Sequence, residues 1–144
     1  MIERYSNQRG DFPVAKWIPY IYSQDARKQA EFYAKALDGE ILDIRTFADM
    51  PGAKEEDKNR VMHLVLKVGE QLIYMADNGS SSVERGNGLD LALIFPTEEE
   101  GKTVFENLSQ GGKVFMPFER MFWGTTFGRL EDPFGVRWQI STES

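Results

Sequence analysis

At 144 residues, with no cysteine and a net charge of −6, the chain is sized for one compact domain and excludes disulfides, thiolate metal sites and cysteine nucleophiles. The acidic balance and the lack of any basic run argue against nucleic acid as a partner, because backbone phosphates need a positive surface. No apolar run approaches the roughly 20 residues of a membrane helix, and the polar start has no apolar signal segment, so a cytoplasmic protein with no membrane partner is expected.

Residues 1–13 read as a polar lead-in ending at Pro13. Residues 16–22 read as a strand, with Pro19 marking an edge or bulge. Asp25 then reads as an N-cap, and Ala26, Ala30, Tyr33 and Leu37 form one apolar helical face. Gly39 reads as the C-cap. Residues 40–47 are a strand, 49–60 a charged loop holding Pro51-Gly52, and 61–68 with 71–76 a hairpin around Gly69-Glu70. Residues 78–88, rich in Ser, Gly and Asn, read as a flexible linker.

The second half repeats that order. Residues 89–95 are a strand, Thr97-Glu98-Glu99-Glu100 is a capping box, and Val104, Phe105 and Leu108 are the buried helical face, ended by Gly111-Gly112. Strands follow at 113–118, 126–130 and 136–141, the last two flanking the turn Asp132-Pro133-Phe134-Gly135. Ala30-Glu31-Phe32 and Gly39-Glu40-Ile41 overlay Thr103-Val104-Phe105 and Gly112-Lys113-Val114 at a constant offset of 73. Gly69 overlays Gly135 at an offset of 66, the longer 49–60 loop accounting for the difference. The fold class is therefore α+β, with two βαβββ modules in one domain spanning 1–144: module one about 15–77, the linker 78–88, and module two about 89–141. The economical packing sets the two sheets side by side around a shared hollow.

This element order, with Asp25…Phe32-Tyr33…Leu37-Asp38-Gly39, resembles the vicinal oxygen chelate superfamily of glyoxalase I, bleomycin-resistance proteins and extradiol dioxygenases. Pro19-Tyr20, Val61-Met62-His63, Phe122-Trp123-Gly124, Gly128 and Asp132-Pro133-Phe134-Gly135…Trp138 resemble its PhnB-like branch, whose members often carry a demethylubiquinone methyltransferase label. No Gly-rich strand-to-helix turn supports a nucleoside cofactor here. The resemblance implies a glyoxalase/bleomycin-resistance fold, a cupped mixed sheet with helices outside, and a homodimer. It also implies a divalent metal held by the first and last strand of each module. Carried over, those positions are Ile18, Tyr74 (or Ile73), Asp90 and Gln139. Ile cannot ligate, and Tyr and Gln are poor ligands for Zn, Ni or Fe(II), so no metal and no other cofactor is expected. The resemblance also implies, from many branch members, an Asp-Arg pair where Thr125-Thr126 stand and a His where Val136 stands; this chain has neither at those positions.

His63, the single histidine, has two readings. It is a half-buried strand residue sharing a face with Val61, Val65 and Lys67, or it is a general base and the best catalytic candidate. Trp123, with Phe122, Glu119 and Arg120, is either a loop or a lid over the hollow. Arg129 lies level with His63 in the overlay and either holds an anionic ligand or pairs with Glu131 or Glu40. The expected ligand-binding set is Tyr20, His63, Tyr74, Asp90, Trp123, Arg129 and Gln139, around a small, partly apolar or aromatic molecule. The alternative is a lyase, isomerase or oxygenase acting on a vicinal-oxygen small molecule.

Overall fold

The structure is a computed structural model that describes residues 15–79 and 82–143. The lead-in at 1–13 lies outside those residues. In chain order the elements are β1 (Tyr20–Ser23), α1 (Ala26–Ala36), β2 (Glu40–Thr46), β3 (Val61–Val68), β4 (Gln71–Asp77), β5 (Leu91–Phe95), α2 (Glu98–Ser109), β6 (Lys113–Arg120), β7 (Thr126–Glu131) and β8 (Arg137–Thr142). They form two four-stranded sheets of identical topology, β1-β4-β3-β2 and β5-β8-β7-β6. In each, the first strand runs parallel to the last and the other pairs are antiparallel. The duplication read from the sequence is thus a duplication of topology, and the chain has the α+β architecture expected.

Helix α1 starts where predicted: the Asp25 carboxylate accepts from the Lys28 backbone N–H at 3.1 Å. Asp77 adds a second N-terminal acceptor, taking the Ala26 N–H at 2.7 Å. Asp25→Ala is expected to lower stability by about 1 kcal/mol in a urea melt, the usual worth of such a cap.

The C-terminus differs from the expectation. Asp38, with φ of 54°, is the left-handed residue, not Gly39. Gly39 is needed for another reason: a Cβ there would stand 2.5 Å from the Lys67 carbonyl. Gly111 (φ 77°) and Gly112 repeat the arrangement, and a Gly112 Cβ would stand 2.0 Å from the Glu131 carbonyl. The repeated glycine therefore marks where the strand after each helix crowds its neighbour's backbone.

One face of each sheet joins a common core. Leu64 and Leu66 of β3, Ile73 and Met75 of β4, Leu130 of β7, and Trp138 and Ile140 of β8 pack with Ala30 and Tyr33 of α1 and Phe105 and Leu108 of α2. Val61 also belongs to this core, although strict alternation puts it on the face of His63. A register shift between Arg45 and Thr46, paired with His63 and Val61, inverts the side chain at the strand's start.

A buried carboxylate ties the halves together. Asp132 is 1% exposed. Its Oδ2 accepts from the Tyr33 hydroxyl (2.5 Å) and the Trp138 indole N–H (2.8 Å), and its Oδ1 from the backbone N–H groups of Phe134 (2.8 Å) and Val136 (3.1 Å). Gln29 donates to the same hydroxyl at 2.8 Å. A module-one helix is thereby fixed to the module-two turn. Burial, then the Asp132 charge, raises the Tyr33 phenol well above its ordinary value of 10.0. A raised folded pKa means the contribution is whole below about pH 10 and fades as the pH climbs through the raised value. In an absorbance titration, Tyr33 should ionise only together with unfolding; smooth ionisation of every tyrosine before the fold is lost would contradict this network.

Candidate functional site

The side chains pointing away from the core form two separate groups. On the first sheet, Tyr20 pairs in register with Tyr74, and His63 lies on the same open face. The Tyr20 hydroxyl is 3.0 Å from His63 Nδ1. The rings of Tyr20 and Tyr22 are 5.1 Å apart, those of Tyr20 and Tyr74 6.0 Å, and those of His63 and Tyr74 4.8 Å. Burial, then the neighbouring Tyr22, raises the Tyr20 pKa.

On the second sheet, Asp90 stands just ahead of β5. Arg129 of β7 grips it in a fork, Nε to Oδ2 at 2.7 Å and Nη2 to Oδ1 at 3.2 Å. Gln139 of β8 donates to Oδ2 at 3.1 Å. The Arg129 hydrogen bond is the main force lowering the Asp90 pKa; burial opposes it. Arg129 is raised in turn by the same bond. A depressed carboxylate pKa stabilises the fold above the unfolded value and loses that contribution as the pH falls through the folded one. The pair should therefore hold at neutral pH and come apart only below about pH 3.8. Glu131, one of the partners weighed from sequence, instead lies 3.6 Å from Arg137.

Six of the seven sequence-derived residues thus fall into two clusters of three. Among the described residues, no hydrogen bond, ion pair or ring contact joins the clusters. Trp123 stands apart from both, 54% exposed, its indole N–H on the Thr125 hydroxyl at 2.6 Å and its ring against Phe122 and Phe127. Glu119 and Arg120 belong to β6 rather than to a loop, so the connection to β7 is only residues 121–125.

A cavity of about 520 Å³ lies at the seam of the modules, lined by β1 (Tyr20, Tyr22), by Arg85 and Leu89, by Leu91 of β5 and by Arg137 of β8. Of the seven expected residues only Tyr20 reaches it. The sequence reading missed Arg85 because it sits in a stretch whose composition says linker. In fact its guanidinium fastens that stretch, donating to the carbonyls of Tyr22 (2.5 Å) and Phe134 (3.2 Å) and to Gln29 Oε1 (3.4 Å). A charged side chain between glycines was the one available signal.

These residues do not fit a divalent ion. Both oxygens of Asp90, the one good ligand of the four positions, are taken by Arg129 and Gln139. Among the described residues no three His, Cys, Asp or Glu side chains gather in ligating range.

Comparison with known proteins agrees with the architecture. Protein YjdN of Escherichia coli K12 is 27% identical over 135 residues, covering 85% of this chain and 92% of that protein. The crystal structure of PA1353 from Pseudomonas aeruginosa superposes with a TM-score of 0.79 at 28% identity, over 90% of this chain and 98% of that one. A putative 3-demethylubiquinone-9 3-methyltransferase, PhnB protein, from Bacillus cereus gives 0.72 at 26% identity, over 90% and 100%. A fosfomycin resistance protein from Listeria monocytogenes, solved with Mn(II) and sulfate, shares the fold at 10% identity, with a TM-score of 0.66 over 92% of this chain and 95% of that one. Residues 14–140 match the family described as the Glyoxalase/Bleomycin resistance protein/Dioxygenase superfamily, and the chain belongs to it.

Proposed function

We propose that the chain is a PhnB-like, metal-free small-molecule-binding protein that works as a homodimer and takes its ligand between the modules. The observation that carries this reading is the seam cavity: about 520 Å³, within the usual range of about 300–1,000 Å³ for a ligand site, with Tyr20, Tyr22, Leu89 and Leu91 as apolar wall. The locked Asp90 supports the absence of an ion. Strand β6, exposed along nearly its whole length and carrying Val114, Phe115 and Met116, supports a partner copy, because a bare edge strand invites pairing. Light scattering on an eluting peak is expected to give twice the chain mass.

The test is thermal shift against a panel of small aromatic and apolar molecules. A ligand at a hundred times its Kd adds about 2.7 kcal/mol of stability. Tyr22→Ala should shrink that shift without moving the unliganded melt. A panel with no shift, or a shift that Tyr22→Ala leaves intact, would end the reading. The Tyr20–His63 hydrogen bond favours one alternative, an enzyme of the glyoxalase or dioxygenase type with His63 as base. Loss of turnover in His63→Ala with ligand binding retained would select it.

A further inference from the structure

Resting on the binding reading above, we infer that residues 83–89 are a strap that closes one side of the seam cavity, and that Arg85 is the latch that holds it shut. Val83, Glu84, Arg85, Gly86 and Leu89 belong to the cavity lining, so this stretch is one of its walls. It has no helix or strand, and Glu84 and residues 86–89 are exposed. Among the described residues, every hydrogen bond that ties it to the body of the protein comes from the Arg85 side chain. The three acceptors lie on both modules: the Tyr22 carbonyl at 2.5 Å and Gln29 Oε1 at 3.4 Å on module one, and the Phe134 carbonyl at 3.2 Å on module two. One side chain therefore pins the strap across the seam. Gly135, at φ 87°, leaves room for its stem: a Cβ there would stand 3.3 Å from Arg85 Cγ.

The same arrangement makes the closure reversible. A charged donor forms stronger hydrogen bonds than a neutral one, so a single guanidinium can hold a short irregular segment. Its acceptors are all neutral, and among the described residues no ion pair involves Arg85, so release strands no buried carboxylate. Next to the latch, Gly86 has a φ of 72°, and nothing lies within 4 Å of where a Cβ would sit at Gly86 or Gly88. The strap thus has free turning points beside its anchor and no backbone hydrogen bond to the body to break, the properties of a lid.

Digestion with a glutamyl endopeptidase reads the latch without any ligand, because Glu84 is exposed and adjoins Arg85. Arg85→Gln is expected to speed cutting after Glu84 at least tenfold, with cutting after Glu31 and Glu106, in the two helices, unchanged. Arg85→Lys, which keeps the charge but loses the fork, should fall between. An equal rise at all three sites is global loosening and overturns the latch. The gate is read by stopped flow with 1-anilinonaphthalene-8-sulfonate as a fluorescent aromatic probe. Tyr22→Ala should weaken its binding, and Arg85→Gln should speed both its entry and its release at least fivefold. Unchanged cutting at Glu84, or unchanged probe rates while Tyr22→Ala weakens binding, overturns the strap and leaves the binding reading standing. A probe that does not bind, or that binds Tyr22→Ala as tightly as the unaltered protein, overturns both.

Discussion

Asp132→Ala is expected to cost the fold about 4 kcal/mol in chemical denaturation, at the upper end for a single substitution. The carboxylate is the shared acceptor of four donors, two from side chains and two from the turn backbone, and three of the four lie at 2.8 Å or less. Removing it leaves the Tyr33 hydroxyl and Trp138 indole N–H buried without an acceptor, each costing about 1–3 kcal/mol. It also frees the turn that presents Phe134 to the rings of Phe32 and Tyr33, at 5.6 and 6.4 Å. Tyr33→Phe removes a single donor and should cost less, about 1–2 kcal/mol. A loss below about 1 kcal/mol in Asp132→Ala would mean that the cross-module network contributes little.

Gly112→Ala is expected to be nearly as damaging, about 3 kcal/mol or more, or to give no soluble protein. The added methyl would sit 2.0 Å from the Glu131 carbonyl oxygen and 3.0 Å from Asp132 backbone atoms. Neither is the free end of a flexible side chain, so β6 and β7 would have to separate, and their separation would disturb Asp132 itself. Gly88→Ala is the control: nothing lies within 4 Å of its Cβ position and its φ is ordinary, so it should be neutral or stabilising by less than about 1 kcal/mol. Equal melts for the two variants would remove the steric account of the repeated glycine.

The fold was legible because its signals are local and doubled. Asp25 and Thr97 start helices, Gly69 and Gly135 take left-handed turns, and the same order of periods occurs twice. What the sequence hid depends on register and on long-range partners. Val61 changes face at a bulge that no pattern in Val61-Met62-His63 announces. Arg129 chose Asp90, 39 residues away, over the nearer Glu131. Tyr33 looked like an ordinary core residue and Asp132 like a turn residue, yet they meet across 99 positions. The site suffered more than the fold for the same reason. Strand positions told which residues share a face, so the two clusters of three were foreseeable. That the linker would fold Arg85 back over the seam, beside a cavity that Tyr20 alone of the two clusters lines, was not written in its composition.

The proposed metal-free reading rests on Asp90 being bound by this chain's own arginine and amide. Metal content decides it. Untagged protein, incubated with excess Mn(II), Ni(II), Zn(II) and Fe(II) and then desalted, should retain far less than one ion per chain. About one tightly held ion per chain, lost on Asp90→Asn, would contradict the account.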